Sequence, residues 1–104
     1  MEIQAGVCGF VTQVSSESED QQNVNFGINS DCEKIKALAI KLNKIQPVDA
    51  FQEISPTGEG KIISVVRETL KGCCAGCAVP AGIFKAMQVA AGLALPKDIS
   101  ITFK

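Results

Sequence analysis

The N-terminal part of the chain alternates between apolar and polar positions, which is the pattern of half-buried β-strands. Residues 3–7 alternate in one phase and residues 8–14 in the other. Because Gly6 and Gly9 flank this one-residue shift, the pattern predicts a β-bulge within a single long strand. The polar and acidic segment over residues 15–21 then predicts a loop.

A second half-buried strand is predicted over residues 23–29, where Val, Phe and Ile alternate with Asn and Gly. A turn near residues 18–19 pairs the two strands as an antiparallel hairpin, in which partner numbers add up to roughly 37. Cys8 is then expected opposite Asn29, and Cys32 follows shortly after the end of the pairing. The sequence therefore predicts that Cys8 and Cys32 are neighbours.

Residues 32–45 show the helical spacing of apolar side chains that predicts an amphipathic helix. Ser30 or Asp31 can cap its N-terminus, and Gln46-Pro47 ends it. Counting back from the apolar stripe places Cys32 in the first turn, on the face that packs against the core. The stripe itself consists of Ile35, Leu38, Ala39, Leu42 and Ile45.

Two further helices and one strand are predicted in the C-terminal half. A turn over residues 56–60 precedes a helix over 61–70, and a third helix over 80–95 begins with proline and is rich in small residues. Residues 99–103 alternate again and predict a last strand. The order β-β-α-α-α-β predicts one α+β domain over residues 1–104. We expect a two-layer sandwich, with a small, mainly antiparallel sheet and helices on one face.

Composition and charge narrow the classes of function. The net charge is −1, and the chain has no Tyr or Trp and no basic stripe, so nucleic-acid binding is not expected. Without histidine, Cys–His and Ser–His catalytic pairs are excluded, and whether the chain is an enzyme stays open. No apolar run has the length of a membrane span, and the N-terminus does not resemble a signal peptide. We expect a cytoplasmic protein that does not bind membranes.

The five cysteines carry the candidate chemistry. Structural disulfides are rare in the cytosol, so cysteines there point to metal binding or thiol redox chemistry. Cys8 and Cys32 lie beside turn-forming residues, and a Cys-x-x-Cys pair can direct two sulfurs at one ion. Zinc and iron–sulfur clusters both accept four thiolates. The predicted ligand set is Cys8, Cys32, Cys74 and Cys77, in which Cys73 can replace Cys74.

Two other functions stay open. One is a thiol oxidoreductase or sulfur carrier that uses Cys74 and Cys77, which leaves Cys8 and Cys32 without a role. The other is a non-enzymatic interaction domain with inert buried cysteines, which forms a homodimer through an exposed apolar helix face. The sequence names no protein partner.

The chain also resembles an uncharacterised prokaryotic family of proteins of similar length, which occur largely in anaerobes and archaea. The segments that carry the resemblance are Val7-Cys8-Gly9-Phe10, Ser30-Asp31-Cys32, Cys77-Ala78-Val79-Pro80 and residues 90–98. In that family a His or Cys stands three residues before the Cys of the Cys-x-Val-Pro segment, a position that Cys74 holds here. The resemblance implies that Cys74 rather than Cys73 is the ligand and slightly favours zinc. It implies no established activity.

Overall fold

The computed structural model of the protein describes residues 1–55 and 57–104. The described residues form a four-stranded antiparallel sheet of order β1-β2-β3-β4, four α-helices and a short 3-10 helix. The strands are β1 (Glu2–Gln4), β2 (Val11–Glu17), β3 (Asn23–Ser30) and β4 (Val48–Asp49). The helices are α1 (Glu33–Ile45), α2 (Ala50–Ile54), α3 (Lys61–Thr69) and α4 (Val79–Ala90), and the 3-10 helix spans Gly72–Gly76. The predicted α+β class with a small antiparallel sheet is confirmed.

Helices cover one face of the sheet. Along β2 and β3, buried and exposed side chains alternate, as a sheet with one covered face requires. Helix α4 packs on β2 and α1 packs on β3, while α3 packs mainly on α1. The predicted two layers therefore hold around β2 and β3 only, because α3 lies against a helix rather than against the sheet.

The predicted long first strand is wrong. It is two antiparallel strands, with Ile3 opposite Thr12, and residues 5–10 form the loop between them. Gly6 and Gly9 have φ values of +85° and +76°, and the Gly9 N–H donates to the Gly6 carbonyl at 2.9 Å. These left-handed dihedrals reverse the chain, whereas a bulge only bends it. A tight loop and a bulge both shift the alternation by one residue, so the pattern alone did not separate them.

The predicted register of the second hairpin is also wrong. Gln13, not Cys8, lies opposite Asn29. The turn comes later than residues 18–19 because the carboxylate of Asp20 accepts hydrogen bonds from the two backbone N–H groups that follow it at positions 22 and 23. Cys8 falls outside the pairing, in the β1–β2 loop.

Helix α1 begins after the position that the sequence predicted for its cap. Cys32 is the N-cap residue, and neither Ser30 nor Asp31 caps the helix. The Ser30 hydroxyl instead accepts hydrogen bonds from the Cys32 N–H at 3.2 Å and from the Thr12 hydroxyl at 2.9 Å. This buried pair of hydroxyls joins the start of β2 to the end of β3. The helix ends at Gln46, as predicted.

A buried carboxylate that the sequence did not predict caps α3. Glu53 is 6% exposed, and its carboxylate accepts hydrogen bonds from the N–H groups of Lys61 at 3.0 Å and Ile62 at 2.7 Å. These N–H groups lack partners within the helix, so the carboxylate satisfies them. Gly60 allows this approach, since a Cβ there would lie 3.3 Å from the carboxylate oxygens. The predicted turn over residues 56–60 begins at a residue outside the described part of the chain.

The predicted last strand is absent from the described residues. Helix α4 ends at Ala90 rather than near residue 95, because Gly92 adopts a φ of +74° and donates its N–H back to the Val89 carbonyl. Residues 93–104 follow as a tail without strand pairing. The exposed fractions of its alternating apolar side chains are 56% for Ile99, 83% for Ile101 and 101% for Phe103.

Candidate metal centre

Of the four predicted metal ligands, two cap helices, one lies in a loop and one lies inside the short 3-10 helix. Cys8 lies in the β1–β2 loop and Cys32 at the N-cap of α1. Cys74 belongs to the 3-10 helix, and Cys77 ends that helix two residues before α4 begins. Ends of elements are where separate parts of a chain can bring side chains to one point.

The strands bring Cys8 and Cys32 to one end of the sheet. Strand β2 begins where β3 ends, with Thr12 opposite Ser30. Cys8 precedes Thr12 by four positions, and Cys32 follows Ser30 by two. The sequence therefore predicted this neighbourhood although it placed the turn and the register wrongly. We call this end of the sheet the cysteine end.

Helix α4 brings Cys77 towards the same end. Gly82 packs against Ile3, with no room for a Cβ between them. One helical turn later, the carbonyl of Ala86 accepts a hydrogen bond from the Ser16 hydroxyl at 2.8 Å. Because Ile3 lies beside the start of β2 and Ser16 near its end, α4 runs in the direction of β2. Its N-terminus, and Cys77 before it, therefore point towards the cysteine end.

The five thiols differ in burial. Cys32, Cys74 and Cys77 are half-buried and pack against the hydrophobic core, while Cys8 and Cys73 are exposed. The two adjacent cysteines of the 3-10 helix thus face different surroundings. Cys74, which the family resemblance implies as the ligand, is the one of the two that packs against the core.

The electrostatics of Cys77 connect the same four residues. Burial raises the pKa of the Cys77 thiol, and the neighbouring charges of Cys8, Cys32 and Cys74 raise it further, while the backbone N–H of Val79 lowers it. Electrostatic effects of this kind fall off with distance and with screening. The three sulfurs that act on Cys77 are the other three members of the predicted ligand set.

The types of side chain present fit a thiolate-bound metal, but the distances between them are larger than in a metal-bound site. Among residues 1–55 and 57–104, no three Cys, Asp or Glu side chains lie close enough together to hold one ion. Four sulfur donors without histidine match a structural zinc or an iron–sulfur cluster. The glycines beside these cysteines face open space, since a Cβ would meet nothing within 4 Å at Gly6, Gly9, Gly72 or Gly76.

One stretch of the described residues, Gly72–Ala90, is long and apolar enough to cross a membrane by length and composition alone. Its mean hydropathy is 1.4, and 28% of the tested window is buried within the protein. The stretch is not one continuous helix, because Cys77 has an extended backbone between the 3-10 helix and α4. The 12 residues of α4 are fewer than the approximately 20 that a transmembrane helix needs.

Comparison with known proteins gives one match. The model of a family described as a family of unknown function (DUF6951) matches residues 1–103. No curated protein and no solved structure matches the chain. The matched residues include every cysteine and the C-terminal tail, so the resemblance to an uncharacterised family is confirmed.

Proposed function

The chain belongs to the family of unknown function DUF6951, and we propose that it is a small metal-binding protein. The proposed ligands are the thiolates of Cys8, Cys32, Cys74 and Cys77. Zinc is the preferred metal, and an iron–sulfur cluster is the second choice. The proposal concerns binding and assigns no catalytic reaction.

One observation supports the proposal above the others. Three separate parts of the fold direct cysteines to the cysteine end: the β1–β2 loop, the junction of β3 with α1, and the junction of the 3-10 helix with α4. Cysteines that only fill space in a core do not need to meet. A tetrahedral site takes ligands from distant parts of the sequence in this way, and metal binding would have to draw the sulfurs closer, since no three Cys, Asp or Glu side chains of the described residues lie close enough to hold one ion.

The chain also supplies groups that suit bound thiolates. The N–H of Val79, in the first turn of α4, favours the charged form of Cys77, and Cys32 lies at the N-terminus of α1, where the helix dipole favours negative charge. Burial and repulsion from the neighbouring thiolates oppose the ionisation of Cys77. A bound cation supplies the positive charge that offsets this repulsion, and binding then releases protons.

Zinc is preferred because the family resemblance implies that Cys74 occupies a position where His also occurs, an exchange typical of zinc ligands. An iron–sulfur cluster would suit the distribution in anaerobes and archaea that the same resemblance implies. Either cofactor needs reduced thiols, which agrees with the expected cytoplasmic location.

Thiol redox chemistry is less well supported. A catalytic thiol of a disulfide oxidoreductase needs a lowered pKa and solvent access. Burial instead raises the pKa of Cys77, and Cys74 is half-buried. This function also leaves the convergence of Cys8 and Cys32 unexplained.

The test is a set of five single Cys→Ser variants, purified without oxygen and compared for bound metal and for thiol–disulfide exchange. We expect Cys32→Ser, Cys74→Ser and Cys77→Ser to lose the metal. We expect Cys8→Ser to bind the metal more weakly rather than to lose it, because Cys8 is exposed and the three half-buried ligands stay in place without it. Cys73→Ser is the matched control and keeps the metal.

Three results would contradict the proposal in different ways. Loss of metal at Cys73 with retention at Cys74 shows that the ligand assignment is wrong. Exchange activity that disappears only at Cys74 and Cys77, in a protein without metal, establishes the redox function instead. Five variants that all match the wild type show that the cysteines are inert.

A further inference from the structure

The C-terminal tail has the pattern of a β-strand but no strand partner in the described residues. From Asp98 to Phe103, apolar side chains alternate with polar ones, and the three apolar side chains are more than half exposed. The family match extends through residue 103, so the tail is part of the family's domain. Alternation of this kind is typical of a strand in an antiparallel sheet with one covered face, and a strand gains stability from such a sheet.

The outer edge of β1 offers such a place. The Val14 N–H bonds to the Met1 carbonyl and the Ala5 N–H bonds to the Phe10 carbonyl, so alternate residues of β1 bond to β2. The backbone groups of Glu2 and Gln4 lie between these positions and point away from β2. β1 has β2 as its sheet neighbour and none on its other side among the described residues.

The opposite edge of the sheet is less open. Strand β4 pairs with Asn23 and Val24 of β3. The Phe26 N–H, which points to the same side, donates to the side-chain carbonyl of Gln46 at 3.0 Å. The outer edge of β1 is therefore the better acceptor for a strand.

The tail and β1 are complementary in polarity. Ile3 lies on the covered face of β1 against α4, and the exposed side chain of Glu2 lies on the open face. A tail strand with Ile101 on the covered face continues the apolar row beyond Ile3. Its polar side chains, those of Asp98, Ser100 and Thr102, then lie on the open face of the sheet.

We propose that residues 98–103 of one copy add as a β-strand to the outer edge of β1 of a second copy, which forms a homodimer. Helix α4 ends near the β2–β3 turn, since Gly92 lies beside the Gln21 side chain. A tail that returned along its own β1 would run parallel to it, whereas the tail of a second copy can pair antiparallel, the more stable arrangement. A two-fold axis makes two such pairings at once. This proposal does not depend on metal binding.

The test is the molar mass of the full-length protein in reducing buffer, measured by light scattering during size exclusion and by sedimentation. Ile101→Glu blocks the tail, and Gln4→Pro removes an outward N–H from β1 without removing a bond to β2. Ile40→Glu is the matched control, because Ile40 is 58% exposed on α1 and away from the proposed contact. We expect a dimer for the wild type and the control and a monomer for each blocked variant.

Mixing the two blocked variants sharpens the test. The intact tail of Gln4→Pro can pair with the intact edge of Ile101→Glu, so a heterodimer with one junction is expected, weaker than the wild-type dimer. Circular dichroism checks that each variant is folded, and Ile101→Glu alone keeps the test valid if Gln4→Pro does not fold. A monomeric wild type, a dimer that persists in Ile101→Glu, or a monomer whose own tail is protected from hydrogen exchange would overturn the proposal.

Discussion

The two ends of the sheet are built from different chemistry. At the turn end, the carboxylate of Asp20 accepts hydrogen bonds from the Ser18 hydroxyl, from the backbone N–H of Gln22, and from both the backbone N–H and the side-chain amide of Asn23. At the cysteine end, the loops carry glycines and thiols, and the polar bond that joins the strands is the buried hydroxyl pair of β2 and β3.

The pKa shift at the turn end favours a charged side chain, whereas the pKa shift at the cysteine end favours a neutral one. Hydrogen bonds from Asn23 and Gln22 lower the pKa of Asp20, so the charged form is favoured. Burial and neighbouring thiols raise the pKa of Cys77, so the neutral form is favoured. The chain itself supplies the groups that stabilise the charge at the turn end, whereas the proposed function assigns this role at the cysteine end mainly to a bound cation. The following predictions test this difference, from the largest expected effect to the smallest.

Metal removal should affect the cysteine end alone. If free zinc is held at about 1,000 times its Kd, its removal by a chelator lowers the free energy of unfolding by about 4 kcal/mol. Cys77→Ser should show almost none of this shift, whereas Asp20→Ala should show all of it. Urea unfolding with and without chelator measures the difference, and equal shifts in the two variants would contradict the assignment of the metal to the cysteine end.

Gly82→Ala should destabilise the fold, because the new Cβ has no room beside Ile3. Overpacking of this kind costs about 1–3 kcal/mol. Since the contact also positions the N-terminus of α4, metal affinity should fall as well. Gly76→Ala is the control, because its Cβ would meet nothing within 4 Å. A stable Gly82→Ala protein with unchanged metal affinity would show that this contact does not position Cys77.

Acid should weaken the turn end. The folded pKa of Asp20 is lowered, so its contribution to stability is complete above the unfolded pKa of about 4 and is lost as the pH falls further towards the folded pKa. Asp20→Ala should lower the melting temperature at neutral pH and reduce the additional loss below pH about 4. Melting curves across this range measure both effects. If Asp20→Ala loses as much melting temperature in acid as the wild type, the hydrogen bonds to Asp20 do not stabilise the folded protein.

Alkali should weaken the cysteine end of the metal-free protein, with the smallest effect of the series. The folded pKa of Cys77 is raised, so the stability that depends on its neutral form is present below the unfolded pKa of about 8.5 and is lost as the pH rises through the folded value. Melting temperatures from pH about 8 upwards should therefore fall less in Cys77→Ser than in the wild type. Cys73→Ser should lose melting temperature in alkali as the wild type does. If Cys77→Ser loses as much as the wild type, the pKa of Cys77 is not raised by folding.

Sequence patterns predicted the elements best where local signals were sufficient. The helical spacing that predicted α1 and the proline that follows it gave a helix close to the observed one, with Leu38 and Leu42 fully buried. The loop at Gly6 and Gly9 was misassigned because a bulge and a tight hairpin shift the alternation equally. The tail was misassigned because its alternation specifies a strand without specifying where a free sheet edge lies.

The candidate site was predictable in part. The hairpin topology places Cys8 and Cys32 at the same end of the sheet despite the error in the register, because both residues lie beyond the pairing. The position of Cys77 depends on how α4 crosses the sheet, which follows from the contact between Gly82 and Ile3 and from the hydrogen bond between Ser16 and Ala86. The burial of Cys74 relative to Cys73 depends on the direction of the 3-10 helix, which no spacing rule supplies.

The most direct test of metal binding is elemental analysis together with a visible absorption spectrum of the full-length protein purified without oxygen. About one zinc per chain without colour, or iron with a brown chromophore, agrees with a thiolate-bound centre. In either case the metal should be absent from Cys77→Ser and present in Cys73→Ser. A wild-type protein that contains no metal, takes up neither zinc nor iron when these are supplied, and has five freely titratable thiols would contradict the account.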